Sequence, residues 1–158
     1  MIINGEALLL AAPIKGMLRE KVRGDLASHG LSEAGYDIRI KQDVHLSANE
    51  TRVDQYWSNG RFALASAIEE FQMPNNMVGI VHDKSTWARK GLSVFNTVIE
   101  PGWNGFLTLE LVYHGSTHLY IPAGTGIAQV LFHQTAMRSS YDGKYQNQAD
   151  RPVEAING

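Results

Sequence analysis

The sequence contains no cysteine, so disulfides and thiolate metal sites are excluded. It carries no excess of positive charge either, because its formal net charge is -2 at pH 7, and this argues against nucleic acid as a partner. The apolar run "ALLLAAPI" at residues 7–14 is too short to span a membrane. These absences are compatible with a cytoplasmic protein, and they predict that it binds neither nucleic acid nor membrane.

The chain does contain enough apolar sequence to bury a core. It has 158 residues, of which 44% are hydrophobic and 19% are charged, as is typical of globular domains. We therefore predict a single domain over residues 1–158. Residues 139–158 are polar and aperiodic, so we expect them to form a C-terminal closing segment or tail.

Hydrophobic periodicity predicts a mainly β protein with a short N-terminal helical region. The helical region covers residues 5–22 and is interrupted near Pro13 and Gly16. Alternation of apolar and polar residues, or apolar runs bounded by turns, predicts strands within 34–46, 61–66, 71–83, 106–114 and 118–134. Many short strands with regular turns favour a barrel or a sandwich.

Glu110 lies in the middle of the predicted strand "FLTLELVYH" (106–114), between Leu109 and Leu111. In this strand Leu107, Leu109, Leu111 and Tyr113 share one face. Glu110 lies on the other face, which either meets solvent or lines a cleft. In a cleft, the carboxylate could transfer protons during catalysis.

The segment "KSTWARKGL" (84–92) combines cations with hydroxyls. It is either a basic surface turn or an anion cradle, in which Ser85 and Thr86 supply hydroxyls and Arg89 supplies a planar donor fork. It is not a Walker loop, because the glycine spacing and the Gly-Lys-Ser/Thr ending are absent.

Three other segments have an ordinary and a functional interpretation. In "IEPGWNG" (99–105), Glu100 either is solvated or accepts a hydrogen bond from a sugar hydroxyl. In "HGSTH" (114–118), the spacing of His114 and His118 would suit metal ligands on a helix, but Gly115 argues against a helix, so both are expected at the surface. The segment "YDGKYQNQ" (141–148) is either a disordered tail or a flap that carries Lys144 over a ligand. No H-x-E…P-C-x-x-C pattern is present, so the usual zinc deaminase site is excluded.

Five segments in a fixed order resemble the dCTP deaminase family, a branch of the trimeric dUTPase-like fold. "AGYDIRI" resembles the family's S-x-D-L-R-L strand, and "KSTWARKGL" resembles its R-S-S-x-A-R-x-G-L loop. "IEPGWNGFLTLEL" resembles I-D-P-G-[WF]-x-G-x-I-T-L-E. "IPAGTGIAQVLF" and "YDGKYQNQ" resemble the closing strand pair and the C-terminal Y…K-Y-Q-x-Q. The resemblance implies a dUTPase-like β-barrel of the jelly-roll-like, β-clip type.

The resemblance also implies roles for individual residues. Glu110 matches the catalytic glutamate, and Glu100 matches an acid near the deoxyribose. The remaining matches fall into three groups: Lys84, Ser85, Thr86 and Arg89 in the triphosphate loop, Thr108 and Leu109 beside the base, and Tyr141, Lys144 and Gln148 in the segment that closes over the phosphates. The family implies a homotrimer with its sites at subunit interfaces, and Mg²⁺ carried by the triphosphate. It implies no zinc and no protein-bound catalytic metal.

The sequence departs from the family pattern in three places. Lys84 replaces an arginine, Glu100 replaces an aspartate, and the stretch between Gly91 and Glu100 is about two residues shorter than the hairpin that the family uses to meet the base. The compact chain suggests a phage-like member, acting in a bacterial or phage-infected cell.

Deamination of dCTP to dUTP and ammonia is the predicted activity. The alternatives are a bifunctional deaminase and diphosphatase that yields dUMP, a plain dUTPase, and a nucleotide-binding regulatory protein of the same fold.

Overall fold

Strands dominate the computed structural model, which describes residues 1–49 and 60–158 and the backbone of strands 52–53 and 56–57. The strands are β1 (Ile2–Ile3), β2 (Lys21–Val22), β3 (His29–Leu31), β4 (Tyr36–Arg39), β5 (Val44–Ser47), β6 (Arg52–Val53), β7 (Tyr56–Trp57), β8 (Phe62–Gln72), β9 (Met77–Asp83), β10 (Leu92–Val94), β11 (Val98–Ile99), β12 (Asn104–Tyr113), β13 (His118–Ile121) and β14 (Gly126–Gln134). Two short helices accompany them, α1 (Gly5–Ala11) and α2 (Ser85–Ala88).

The strands pair antiparallel in several sheets. The largest sheet has the order β11-β9-β14-β4-β3-β2, and β1 pairs with the far end of β14. A second sheet has the order β10-β12-β8, while β13 pairs with β5 and β6 pairs with β7. The long strands β8 and β12 form the most extensive pairing of the second sheet, and this pairing supports the site described below.

The core lies where strand alternation predicts it. Leu107, Leu109, Leu111 and Tyr113 of β12 are all buried, because successive side chains of a strand point to opposite faces. In the core they join Phe71 of β8 and aromatic side chains of the large sheet, among them Tyr36 and Phe132.

The N-terminal helix is much shorter than the predicted region 5–22. It ends at Ala11, and Ala12 adopts the left-handed conformation with φ 47°. Pro13 cannot donate a backbone hydrogen bond to a continuing helix, and its carbonyl instead accepts one from Gln72 N at 2.8 Å. Ile14 then bridges to Phe71 of β8, so the chain leaves the helix to join the sheets.

The stretch 34–46, predicted as one strand, forms two. Strand β4 pairs with β14, and strand β5 pairs with β13. Between them, Ile40 N donates to Thr125 O at 2.9 Å, and Lys41 N donates to Ser66 O at 2.8 Å. The chain turns at this point because its backbone changes hydrogen-bonding partners.

The C-terminal residues contain no regular strand but pack against the second sheet. Phe106 N donates to Gln148 O at 3.1 Å, and the Trp103 indole donates to Tyr145 O at 2.6 Å. Of the two sequence-based interpretations of 141–148, the structure therefore has a packed segment and not a loose tail. No helix in the described part of the chain is long and apolar enough to cross a membrane.

Candidate active site

A cavity of about 690 Å³ opens beside β12 and brings together parts of the chain that are distant in sequence. Its walls come from β8, β11, β12, the turn after β11 and the C-terminal segment. Five residues predicted from the sequence line it: Glu100, Thr108, Glu110, Tyr141 and Gln148. The other lining residues are Phe62, Leu64, Thr97, Val98, Ile99, Trp103, Leu107, Tyr145, Val153, Glu154 and Ala155. A cavity of this size suits a small-molecule ligand.

Glu110 is half-buried in this cavity, so its face of β12 lines a cleft. Its backbone lies opposite Leu64 of β8, and its carbonyl accepts a hydrogen bond from Phe95 N at 3.1 Å. The Thr97 hydroxyl donates to Glu110 Oε2 at 3.0 Å. A carboxylate held in a partly apolar cleft can exchange protons with a bound ligand.

An irregularity in the β8–β12 register lies next to Glu110. The register shifts between Phe106 and Thr108, and both Leu107 and Thr108 line the cavity. Such a bulge bends the sheet and redirects side chains. The Leu109 side chain is buried in the core and does not line the cavity, so only its backbone is available for the predicted contact with a base.

Thr108 and Gln148 connect the cavity floor to the C-terminal segment. The Gln148 amide donates to Thr108 Oγ1 at 2.5 Å and to Phe106 O at 3.0 Å. Val153 N also donates to Thr108 Oγ1, at 3.0 Å. The C-terminal segment therefore forms part of the cavity wall.

Glu100 begins the tight turn that leads into β12. Its carbonyl accepts a hydrogen bond from Trp103 N at 3.2 Å. At Gly102 φ is 75°, and an added Cβ would lie 3.0 Å from Ser140 Cα, so glycine is required there. Tyr141 N donates to Pro101 O at 2.8 Å, which brings Tyr141 to the cavity beside Glu100.

The basic segment 84–92 does not reach this cavity. Lys84 Nζ lies 2.5 Å from Asp37 Oδ2, and these side chains are only 12% and 4% exposed. Trp87 is buried, and its indole donates to Gly126 O at 2.7 Å. Ser85, Thr86 and Arg89, in contrast, are exposed. The pairing with Asp37 anchors the segment, and the predicted contact of Lys84 with phosphate stays a prediction.

The structure also places Lys144, whose predicted contact with phosphate stays a prediction, and the stretch between Gly91 and Glu100. The Lys144 side chain does not line the cavity; its ammonium donates to Ile156 O and lies 5.4 Å from the centre of the Tyr145 ring. The stretch between Gly91 and Glu100 forms no hairpin, because β10 pairs with β12 whereas β11 pairs with β9. This stretch crosses from one sheet to the other.

The sequence analysis also missed residues that line the cavity. Thr97 received no role because its stretch was interpreted as a hairpin. Trp103 was quoted as part of a turn, but its indole holds Tyr145, and Val153 lies in a part of the tail to which no role was given. The sequence offered one signal for Thr97. This hydroxyl residue stands three positions before Glu100, so it was bound to lie close to the Pro-Gly turn.

The histidines and acids offer no metal centre in the part of the chain that the structure describes, where no group of three or more His, Asp or Glu is close enough to hold an ion. His114 is exposed, and its Nε2 lies 3.0 Å from Ser93 Oγ. His118 was expected at the surface, but it is partly buried, with Nε2 3.1 Å from His45 Nδ1. Burial, and then the neighbouring His118, lowers the pKa of His45.

Comparison with solved structures defines the class of fold. The native EIAV dUTPase superposes with a TM-score of 0.54 at 20% identity, over 85% of this chain and 94% of that chain. The dUTPase of Staphylococcus bacteriophage 80alpha gives 0.55 at 16% identity, over 80% and 89%. A variant dUTPase from phage phi11 of S. aureus, whose structure coordinates a structural Mg(II) ion, gives 0.55 at 15% identity, over 84% and 94%. The fold is dUTPase-like and mainly β, as predicted.

Sequence comparison is more specific. A family model described as "dCTP deaminase-like" matches residues 54–135. The chain is 36% identical to a dCTP deaminase of Roseiflexus castenholzii, over 85% of this chain and 86% of that protein. It is 32% identical to a dCTP deaminase of Acidobacterium capsulatum, over 94% and 96%. The chain belongs to the dCTP deaminase-like family, which confirms the resemblance found in the sequence.

Proposed function

We propose that this protein deaminates dCTP hydrolytically to dUTP and ammonia. The observation that carries the proposal is the position of Glu110, a half-buried carboxylate in a 690 Å³ cavity, on the strand where the family has its catalytic glutamate. The relatives named dCTP deaminase, at 32% and 36% identity over most of their length, support the same activity.

Glu110 is the group that moves protons in this proposal. Its carboxylate takes a proton from the water that attacks C4 of cytosine. It then delivers protons to the ring nitrogen and to the departing amine, so that water and dCTP yield dUTP and ammonia. General acid–base assistance of this kind typically contributes about 10²- to 10⁴-fold. Backbone and hydroxyl dipoles of β12, including Thr108, stabilise the tetrahedral intermediate.

The charges around the cavity indicate how the substrate is held. Among the described residues that line it, three are carboxylates, Glu100, Glu110 and Glu154, and none is lysine or arginine. A triphosphate needs cationic and N–H donors, and this wall does not supply the cations. We propose that they come from Arg89, with the hydroxyls of Ser85 and Thr86, on a neighbouring copy in a homotrimer.

The remaining predicted residues complete the proposed site. Glu100 accepts a hydrogen bond from the deoxyribose, and the backbone of Leu109 lies beside the base. Tyr141 and Gln148 close the cavity, while Lys144 holds the closing segment through its contact with Ile156 O. The substrate enters as its Mg²⁺ complex, in the cytoplasm of a bacterial or phage-infected cell, and no zinc takes part. We also propose that residues 1–158 act as one domain.

Product analysis tests the proposal. Purified protein is incubated with Mg²⁺ and, separately, with dCTP, 5-methyl-dCTP, dCMP and dUTP, and the products are separated by ion-exchange chromatography. Appearance of dUTP and ammonia from dCTP is the expected result, unchanged by a zinc-selective chelator. Formation of dUMP from dCTP would indicate the bifunctional alternative. Pyrophosphate release from dUTP alone would indicate a dUTPase, and binding without any turnover would indicate a regulatory protein.

A further inference from the structure

The crossover between β10 and β11, residues 95–97, is attached to Glu110 through both main chain and side chain. Phe95 N donates to Glu110 O at 3.1 Å, and the Thr97 hydroxyl donates to Glu110 Oε2 at 3.0 Å. The proposed catalytic residue is thus held at two points by residues to which the sequence analysis assigned no individual role.

The conformation of Thr97 is itself fixed by its backbone. Thr97 N donates to Phe95 O at 2.8 Å, which closes a tight turn, and Val81 N of β9 donates to Thr97 O at 3.1 Å. A β-branched side chain on a fixed backbone has few rotamers. The hydroxyl is therefore held at Glu110 by the turn and by the large sheet together.

Thr97 also stands alone in this contact. Within residues 1–49 and 60–158, the Glu110 carboxylate accepts one hydrogen bond, from the Thr97 hydroxyl to Oε2. The two carboxylate oxygens are thereby made different. A hydroxyl donor holds Oε2, and Oε1 keeps its lone pairs for a ligand or a water molecule.

We propose that Thr97 is the positioning residue for Glu110: its hydroxyl fixes Oε2, so that Oε1 is the oxygen that exchanges protons with water and substrate. This inference rests on the proposed deaminase function. A general base must lie within hydrogen-bond reach of the proton it takes, and small errors in its position reduce the rate steeply. Thr97 limits the rotation of the carboxylate that would produce such errors.

Two substitutions separate this role from a structural one. Thr97→Val keeps the β-branched shape and removes the hydroxyl, whereas Thr97→Ser keeps the hydroxyl. For Thr97→Val, kcat for dCTP is expected to fall about 10- to 100-fold, with KM within about twofold of wild type. Thr97→Ser is expected to retain kcat within a few-fold. Thr117→Val, which removes a hydroxyl that lies 2.9 Å from Tyr113 Oη and outside the cavity, is the matched control and should leave kcat unchanged.

A double-mutant cycle on thermal stability tests the hydrogen bond between Thr97 and Glu110 without measuring enzyme activity. The melting temperatures of wild type, Thr97→Val, Glu110→Ala and the double variant are compared, because alanine removes the acceptor that glutamine would keep. The two single shifts should fail to add, because the side chains are direct partners. Additive shifts would overturn the proposed contact.

The kinetic outcomes keep the two proposals distinct. If wild type deaminates dCTP and Thr97→Val is equally fast, the positioning role is wrong and the proposed function stands. The role is also wrong if Thr97→Ser loses as much activity as Thr97→Val, or if only KM changes. If wild type deaminates no cytosine nucleotide, the proposed function itself fails.

Discussion

The cavity around Glu110 and the basic segment 84–92 are assembled in opposite ways. The cavity draws groups from two sheets and from the C-terminal segment into one place within a single chain. The basic segment is built around the four-residue helix α2, and most of its side-chain hydrogen-bond donors are exposed to solvent. Trp87 and Lys84 attach the segment to the large sheet through their contacts with Gly126 and Asp37. The described residues that line the cavity include three carboxylates and no lysine or arginine, whereas segment 84–92 carries exposed cations.

If the substrate is a nucleoside triphosphate, as we propose, the cavity of one chain lacks the cations that its phosphates require. Three carboxylates around the cavity repel a triphosphate, and the cations that would neutralise it project elsewhere. Coulomb repulsion of this kind is strongest where the dielectric is low. The comparison therefore favours a site shared between copies, with Glu110 from one and Arg89 from the next.

The largest effect is expected from the acidic region. Glu110→Gln keeps the shape of the side chain and removes its ability to take a proton, so kcat for dCTP should fall by about 10²- to 10⁴-fold. Oligomer size and affinity for dUTP should stay close to wild type. Activity within a few-fold of wild type would remove Glu110 from the mechanism.

The basic region should give the next largest effect. Arg89→Ala removes an exposed fork of donors that is proposed to bind phosphate, and the loss of such charged hydrogen bonds costs about 1.5–3 kcal/mol, or roughly 10- to 100-fold in kcat/KM. Ser85→Ala should act in the same direction. Lys90→Ala is the matched control, because Lys90 lies 4.8 Å from the centre of the Trp87 ring and is assigned no contact with substrate.

If Arg89→Ala had the same kcat/KM as wild type, segment 84–92 would be an ordinary surface turn and not a phosphate-binding loop. Equal losses in Arg89→Ala and Lys90→Ala would show a general charge effect without a specific contact.

Removing residues 149–158 should give a smaller effect on the cavity. The truncation deletes Val153, whose N–H donates to Thr108 Oγ1, and leaves Tyr141 and Gln148 in place. The loss of about one net hydrogen bond and part of the wall predicts a fall in kcat/KM of roughly tenfold. Size-exclusion chromatography should show an unchanged oligomer. A truncated protein as active as wild type would show that the end of the tail is dispensable.

The smallest effect is a pH dependence of stability at the base of the basic region. Burial, and then the Arg39 guanidinium, lowers the pKa of His29 below its ordinary value of 6.5. The unfolded chain then binds this proton more readily than the folded chain, so stability falls as pH drops below about 6.5. His29→Asn should show a smaller fall in its urea midpoint between pH 7.5 and 5.5 than wild type. An identical fall in both proteins would exclude His29 as a contributor.

Much of the cavity could be predicted from the sequence, because its residues lie in short local patterns. Glu110 stood out as a charge among apolar strand residues, and Glu100 and Tyr141 lie in segments that resemble family motifs. The alternation in β12 correctly assigned Leu107, Leu109 and Leu111 to the core.

The contacts that were missed depend on residues that are far apart in sequence. The Lys84–Asp37 pair spans 47 positions, and no local pattern shows that a buried carboxylate will neutralise this lysine. The break after Ile40 depends on the backbone of Thr125. Thr97 reaches Glu110 because β10 and β11 enter different sheets, which strand periodicity does not reveal.

A mixed-oligomer experiment tests the shared site most directly. Glu110→Gln and Arg89→Ala chains are co-expressed with different tags, and oligomers that carry both tags are purified. In a cyclic trimer with each site shared between neighbours, one site in three then combines an intact Glu110 with an intact Arg89, so about one third of wild-type activity should return. Activity no higher than that of the two single variants would contradict the shared site and place both residues in the same chain's site.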